Sequence, residues 1–284
     1  MTHLCAAVIQ TRSGRDIARN VEETSALIRA AAGDGARYIQ TPEMTHLLEK
    51  SRKDLFAKIA SEEDDAGVAA YARLAAELGV FLHIGSLAIR TGETSVANRG
   101  LLFGPDGKLQ ARYDKIHMFD VDLPNGESWR ESATYAPGEE AVAVDLGDVK
   151  LGMGVCYDIR FPALFRALAG AGAGILTAPA AFTRQTGEAH WHVLQRARAI
   201  ETGAFMVSAA QGGRHEDGRE TYGHSLIVAP WGEILAEVDG DAPGYALAEL
   251  DLDLVATARQ RIPALANGRD FALREVGARA GVSG

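Results

Sequence analysis

The stretch GMGVCYDIRFPALFRAL, residues 152–168, decides how this chain is read. It opens as an apolar run, places a cysteine at the end of that run, and continues in a helical pattern. Met153 and Val155 favour a strand among glycines, and the preceding VAVDLGDVKLG reads as two strands turning at Gly147 and Asp148. Beyond the cysteine, Phe161, Leu164, Phe165 and Leu168 recur at helical spacing from Arg160 onward, with Pro162 tolerable in the first turn. Cys156 is therefore expected on a sharp strand-to-helix bend. Free backbone N–H groups and the positive helix end would favour a thiolate there. A small buried hydrophobe fits the same position, because unpaired cysteine is often inside.

Outward from this stretch, apolar runs at 4–10, 37–41, 80–89, 96–104 and 109–115 read as strands. Helices are expected over Asn20 to Ala32, with Asn20 as cap, over 62–78 behind the acidic EEDD, and over 188–201. Residues 116–138 suit a long loop with a short helix, and GGRHEDGRE suits a polar loop. EILAEV and YALAEL are expected to pair as antiparallel strands across the turn at Gly240 and Asp241. A helix and an arginine-rich tail close the chain from about 254. Strands alternate with helices, yet hairpins are frequent. That mixture favours α/β with mixed sheets over a doubly wound parallel sheet. With no linker long enough to divide it, residues 1–284 read as a single domain, its core about 3–271.

Composition narrows the function. Apolar residues make up 47% of the chain, enough for a large core. The formal charge is −9 without a basic block, which argues against a nucleic-acid partner. Apolar stretches are interrupted well short of a membrane span, and MTHLCAAVIQ lacks a charged leader. Cys5 and Cys156 are the only cysteines, so no disulfide framework exists and a cytoplasmic setting is expected. GxGxxG after a strand, GxxxxGK[ST] and HExxH are all missing. His190 and His192 fall on different helix faces, so the expectation is no cofactor and no metal.

Three polar residues share one context. Glu43 follows RYIQTP, Lys115 follows LQARYD, and Cys156 follows LGMGV, each at the end of a short apolar strand. Strand ends of one polarity lie at one rim, where sites are built. There a shielded carboxylate can take a thiol proton, and an ammonium can stabilise thiolate and oxyanion. The alternatives are that Glu43 and Lys115 are ordinary rim charges, or that His117, His190, His192 or His224 supplies the base. A catalytically idle binding module is a further alternative.

TPEM around Glu43, RYDKIHMFD around Lys115 and GVCYDIRFP around Cys156 resemble, in order, the three signature regions of the nitrilase superfamily of carbon–nitrogen hydrolases. NRGLLFGPDG, EAHWHVLQRARAIET and YGHSLIVAPWGEIL extend the resemblance to about Phe271. It implies a four-layer α-β-β-α sandwich with mixed sheets. It implies Glu43 as general base, Cys156 as nucleophile, and Lys115 with the Tyr157 backbone N–H as oxyanion holders. Glu131, in WRESATYAPG, would support the lysine, with Glu127 and Glu139 as rivals. The family commonly pairs subunits through outer helices, so a homodimer or higher homo-oligomer is expected, with apolar helix faces near 161–168 and 190–200 as candidates. The segment 196–225 resembles the branch hydrolysing deaminated glutathione to 2-oxoglutarate and cysteinylglycine. The alternatives are ω-amidase action on 2-oxoglutaramate or 2-oxosuccinamate, or another small-molecule amidase, carbamoylase or nitrilase. Arg160, Thr183, His190, Arg214 and Arg219 are the expected substrate-binding residues, with arginines matching the carboxylates of such a substrate.

Overall fold

The computed structural model describes residues 2–276 except Asn125 and Glu127; the rival Glu127 thus lies outside the described residues. Strand His3–Gln10 shows how the layers arise. Ala6 and Val8 face a core shared with Leu151, Met153 and Ile175, which belong to a second sheet. Ala7 and Ile9 point the other way, against Ile28 of helix α1 (Ile17–Gly33). Period-two alternation with both faces apolar is what a sheet covered on both sides requires.

Among the described residues the first sheet has seven strands. Its path runs Gly244–Asp251, His3–Gln10, Tyr38–Gln40, Phe81–Arg90, Val96–Phe103 and Leu109–Asp114, with Tyr135–Ala136 beside Val96–Phe103. The second has six, in the order Ile234–Glu237, Leu226–Val228, Phe205–Ser208, Ile175–Thr177, Lys150–Met153 and Val142–Asp145. Both mix parallel and antiparallel pairs. The short helix α2 (Arg52–Lys58) follows Glu49, and Leu55 packs it into a satellite core with Met44 and Leu48. Helices α1 and α3 (Ala66–Leu78) cover the first sheet; α4 (Pro162–Gly170) and α5 (Arg184–Thr202) cover the second through Phe165, Leu168 and Trp191. Helix α6 (Asp253–Arg261) follows the last strand. The architecture is the expected α-β-β-α sandwich with mixed sheets. No helix among the described residues is long and apolar enough to cross a membrane.

Several expectations are corrected. EILAEV and YALAEL do not pair with each other. Ile234–Glu237 pairs with Leu226–Val228 in the second sheet, whereas Gly244–Asp251 runs antiparallel to His3–Gln10 in the first. The segment between them crosses from sheet to sheet, because a full partner eight residues long awaits at the chain's start. Asn20 is no cap: α1 begins at Ile17 with Asp16 accepting from the Arg19 N–H. The Asn20 side chain turns inward and bonds Gly14 and the His46 carbonyl. Helix α3 begins only after Asp65, which caps it, and α5 begins earlier than expected, capped by Thr183. GGRHEDGRE is not loop alone but the arms of a hairpin, Gly212–Arg214 with Glu220–Tyr222. A second hairpin, Asp120–Asp122 with Ser128–Arg130, occupies the region read as a loop, before a 3-10 turn at Glu131–Ala133.

Candidate active site

Cys156 opens a 3-10 turn, Cys156–Arg160, between strand Lys150–Met153 and α4. The bend is thus made in two steps, and the cysteine does not stand at the end of α4 itself. Pro162 is the first residue of that helix, as its fixed φ and missing N–H favour. Cys156 has φ +49°, a left-handed conformation that costs a non-glycine residue roughly 1–3 kcal/mol and persists only where its surroundings enforce it. Here its N–H bonds the Pro179 carbonyl at 2.9 Å, and the Val155 N–H bonds Asp158 Oδ2 at 2.9 Å.

Asp158 ties this turn to the lysine segment. Fully buried, it also accepts from the Tyr113 hydroxyl at 2.7 Å and from the His117 N–H at 3.0 Å, and its Oδ1 lies 2.7 Å from His117 Nδ1. Tyr113 and His117 flank Lys115, so one carboxylate sets the cysteine turn and the lysine strand end against each other. His117 is thereby occupied away from the thiol. The Glu43 segment is fixed from the other side. Met44, at φ +54°, donates its N–H to Ser86 Oγ, and Gln211 Nε2 reaches the carbonyls of both Glu43 and Met44. A Cβ on Gly85 would lie 2.2 Å from the Thr41 carbonyl oxygen and 2.5 Å from Pro179 Cβ. Only glycine lets the two sheets' loops close this tightly around Glu43.

These elements bring Glu43, Lys115 and Cys156 together. Lys115 Nζ donates to Glu43 Oε1 at 2.9 Å and to both oxygens of Glu131, at 3.0 and 2.8 Å. Asn98 Nδ2 bridges the same carboxylates, at 2.8 Å from Glu43 and 3.0 Å from Glu131. The Ala181 N–H donates to Glu43 Oε2 at 2.9 Å. Glu131 also accepts the Phe119 N–H at 2.7 Å, while its rival Glu139 is exposed and apart from the cavity. Burial alone would neutralise all three central groups, yet they respond differently. Burial opposes the Glu43 charge, but the Lys115 ammonium outweighs it and holds the carboxyl below its ordinary range. Burial likewise opposes charge on Lys115, and Glu131 and Glu43 overcome it, keeping the amine protonated. The Cys156 thiol is pushed well up by burial and by the Glu43 charge, against the pull of Lys115. The resting arrangement is carboxylate, ammonium and neutral thiol. In it the Glu43 carboxylate is hydrogen-bonded to the thiol and so placed where a base would stand.

The three line the floor of a cavity of about 950 Å³. Thr183, Arg214 and Arg219 line it too. Arg160 and His190 do not: Arg160 Nη2 lies 3.2 Å from His190 Nδ1, and the guanidinium packs over Tyr157 and Phe182. They stand behind Tyr157 and Phe182, which do line it. Asn98 and Asp158 went unrecognised in the sequence, although each sits inside a stretch singled out there, NRGLLFGPDG and GVCYDIRFP. Trp129 was missed too. It comes from the hairpin before Glu131, lines the cavity, and has the Lys50 ammonium 5.6 Å and the Arg219 guanidinium 5.3 Å from its ring.

The carbon-nitrogen hydrolase family profile matches residues 5–260. This chain belongs to the carbon–nitrogen hydrolase family. It is 38% identical to the deaminated glutathione amidase of Yersinia enterocolitica over 273 residues, covering 95% of this chain and 94% of that protein. The crystal structure of the C. elegans NitFhit protein superposes with TM-score 0.87 at 32% identity. That match covers 94% of this chain but 65% of the longer NitFhit chain. A glutamate-to-glutamine mutant of the amidase from Nesterenkonia sp. AN1, 26% identical with TM-score 0.76 and matched over 92% of this chain and 98% of its own, has been solved with acrylamide added at its active-site cysteine. The protein is a carbon–nitrogen hydrolase of the cysteine-dependent amidase type.

Proposed function

We propose that this hydrolase cleaves deaminated glutathione into 2-oxoglutarate and cysteinylglycine, with Cys156 as nucleophile, Glu43 as proton carrier and Lys115 as oxyanion holder. The observation that carries the reading is the cavity itself: an amide-cleaving floor beneath a mouth bearing cations that can meet a substrate's carboxylates. In the first half-reaction Glu43 accepts the Sγ proton as sulfur attacks the amide carbon. Lys115 Nζ and the Tyr157 N–H stabilise the tetrahedral oxyanion, where one well-placed donor contributes about 3 kcal/mol. The intermediate collapses to a thioester as the protonated Glu43 donates to the departing nitrogen. In the second half Glu43 removes a proton from water, which attacks the thioester and frees Sγ, to which the proton returns. Glu131 and Asn98 keep Lys115 and Glu43 in register and exchange no proton.

At the mouth, Arg219 is the preferred partner for the dipeptide carboxylate, with Arg214 beside it and Thr183 on the wall. Arg219 Nε lies 2.7 Å from Asp217 Oδ2 without aligning as a hydrogen bond, so its fork is only partly engaged. By contrast Arg184 lies 2.7 Å from Asp241, and Arg130 grips Asp122 with both ends of its carboxylate. The deciding experiment is kcat/KM for deaminated glutathione against 2-oxoglutaramate, which differ only in the leaving amine. The larger substrate is expected to win by about tenfold, or about 1.4 kcal/mol of differential binding in the transition state. Preference for 2-oxoglutaramate would move the assignment to ω-amidase action.

Two copies are proposed to pair through the outer face of α5, in a cytoplasmic setting, with no nucleic-acid partner. Val193 and Ile200 are 67% and 50% exposed there and are joined by Trp231 at 51%. The Arg196 guanidinium bonds the Gly232 carbonyl and holds the Trp231 turn against this face. The α4 face is used up by its own sheet, since Leu164, Phe165 and Leu168 are buried.

A further inference from the structure

Away from the cavity, three side chains from distant parts of the sequence point at one spot. His192 lies on α5, His224 follows strand Glu220–Tyr222, and Glu237 ends strand Ile234–Glu237. His192 Nε2 is 2.9 Å and His224 Nδ1 2.6 Å from the same oxygen, Glu237 Oε1. One ligand atom from each of the three lies within 4.8 Å of the others. None of the three lines the catalytic cavity, and the proposed reaction uses none of them. We propose that His192, His224 and Glu237 form a binding site for a divalent transition cation of the zinc class.

Convergence on a single oxygen is the first argument. Two imidazoles that only sought hydrogen bonds could share the two oxygens of a carboxylate, whereas a cation needs its donors gathered round one point. A tetrahedral zinc ion with ligands at about 2.0–2.1 Å needs donor separations of roughly 3.4 Å. The contacts of 2.9 and 2.6 Å must therefore open by roughly 0.5 and 0.8 Å, which rotation of the partly exposed side chains allows, with the cation replacing the protons that now bridge them. Donor type is the second argument. Two imidazole nitrogens and one carboxylate oxygen suit zinc, nickel, copper and cobalt, and disfavour magnesium and calcium, which prefer oxygen alone.

Support around the donors is the third. The Tyr222 ring stacks on His224 at 4.3 Å and meets His192 edge-on at 5.9 Å, fixing both imidazole planes. The His224 carbonyl accepts the Trp191 indole N–H at 2.8 Å, which holds His224 at φ +57° and ties it to α5 next to His192. Two of the donors stand on a helix and a strand, elements that keep side chains in place. The side chains of His192, His224 and Glu237 are 30%, 21% and 27% exposed, so a cation can enter and water can complete its shell. Reading the local sequence alone missed the site, because HWH supplies one ligand and not two. His190 points to Arg160, and the other donors arrive only through the fold.

The test uses the full chain carrying Cys156→Ala, so that no active-site thiolate competes for metal. Titration with zinc chloride, followed by calorimetry, should give one cation per chain with a dissociation constant on the order of micromolar. Cobalt chloride should produce visible ligand-field bands without thiolate charge transfer. Glu237→Gln keeps size and one accepting oxygen, and His192→Ala removes a partly exposed imidazole. Each should weaken zinc binding by about 100-fold and abolish the rise in melting temperature that zinc gives the parent. Melting curves without metal establish that both variants are folded. Absence of binding to the Cys156→Ala chain, or binding unchanged in both folded variants, would overturn the proposal.

Discussion

The floor and the mouth of the cavity use charge in opposite ways. At the floor, Lys115 is 2% exposed and lies between two carboxylates at hydrogen-bonding distance, with Asn98 bridging the pair. Each charge there is matched by another, and removing one would strand its partner at a cost of about 3–5 kcal/mol. At the mouth, Arg214 and Lys50 are exposed, and Arg219 is only partly held by Asp217. The floor needs nothing from a substrate to be assembled, which suits stabilising charge as it develops in a transition state. The mouth offers charge that a substrate must complete, which suits selection. Chemistry and specificity should therefore separate under mutation.

The largest effect belongs to the floor. Cys156→Ala should lower kcat by about 10⁴ or more while the fold persists, since the other groups cannot supply a nucleophile. Intact-mass measurement on the wild-type protein should find the acyl adduct on Cys156 and not on Cys5. An adduct confined to Cys5, or near-normal turnover by the alanine variant, would break the division between the two regions.

A smaller loss is expected from Asn98, which exchanges no proton and acts by positioning Glu43 and Glu131. Asn98→Ala should reduce kcat by about 30-fold and leave KM within about threefold. Its N–H also helps lower the Glu43 pKa. Without that bond the carboxyl's pKa rises, so the acidic limb of the pH–rate profile should move to higher pH. A purely structural role would change melting and not that limb.

Beneath the floor lies a third test. His83 is fully buried, its Nδ1 lies 2.8 Å from the Tyr38 hydroxyl, and burial lowers its pKa to about 3 from the ordinary 6.5. The folded state thus refuses a proton that the unfolded chain accepts. The stability this group contributes is fully present above pH 6.5 and is lost as pH falls toward 3. The slope approaches about 1.4 kcal/mol per pH unit for one proton. Denaturant melts at pH 7 and pH 5 should differ accordingly, and His83→Gln should flatten the difference. An unchanged slope would place the acid sensitivity elsewhere.

How much of this was readable beforehand depended on the range of the interaction. Glu43, Lys115 and Cys156 could be singled out because each ends an apolar run, a signal carried within a few residues. The strands flanking Cys156 were legible for the same reason. Asn98 was not: it sits inside Val96–Phe103, where a polar residue in a strand looks like an outward side chain until Glu43 and Glu131 close over it. The pairing of Gly244–Asp251 with His3–Gln10 joins the two ends of the chain, and no local turn announces it. Arg160 shows the same limit. Its position four residues after Cys156 places it near the nucleophile along the chain, and only the fold shows its guanidinium set against His190 and over Tyr157 and Phe182. Neighbours in sequence were good guides to elements and poor guides to which side chains meet.

The smallest effect is expected at the mouth, and it sharpens the comparison most. Arg219 packs over Trp129, whose hairpin leads directly into Glu131, so the ring and the guanidinium can close on a carboxylate as one surface. Arg219→Ala should raise KM for deaminated glutathione by about tenfold, corresponding to about 1.4 kcal/mol, and leave kcat nearly unchanged. Arg219→Lys should recover only part of that, because an ammonium cannot form the two-pronged contact of a guanidinium. For 2-oxoglutaramate, which lacks the dipeptide carboxylate, neither variant should shift KM by more than about twofold. The same measurements on Arg214→Ala rank the two arginines. Equal damage to both substrates would assign Arg219 to the keto-acid end or to the hairpin's structure. A fall in kcat without a change in KM would mean that the mouth reaches the floor through Glu131, and that the two regions do not work apart.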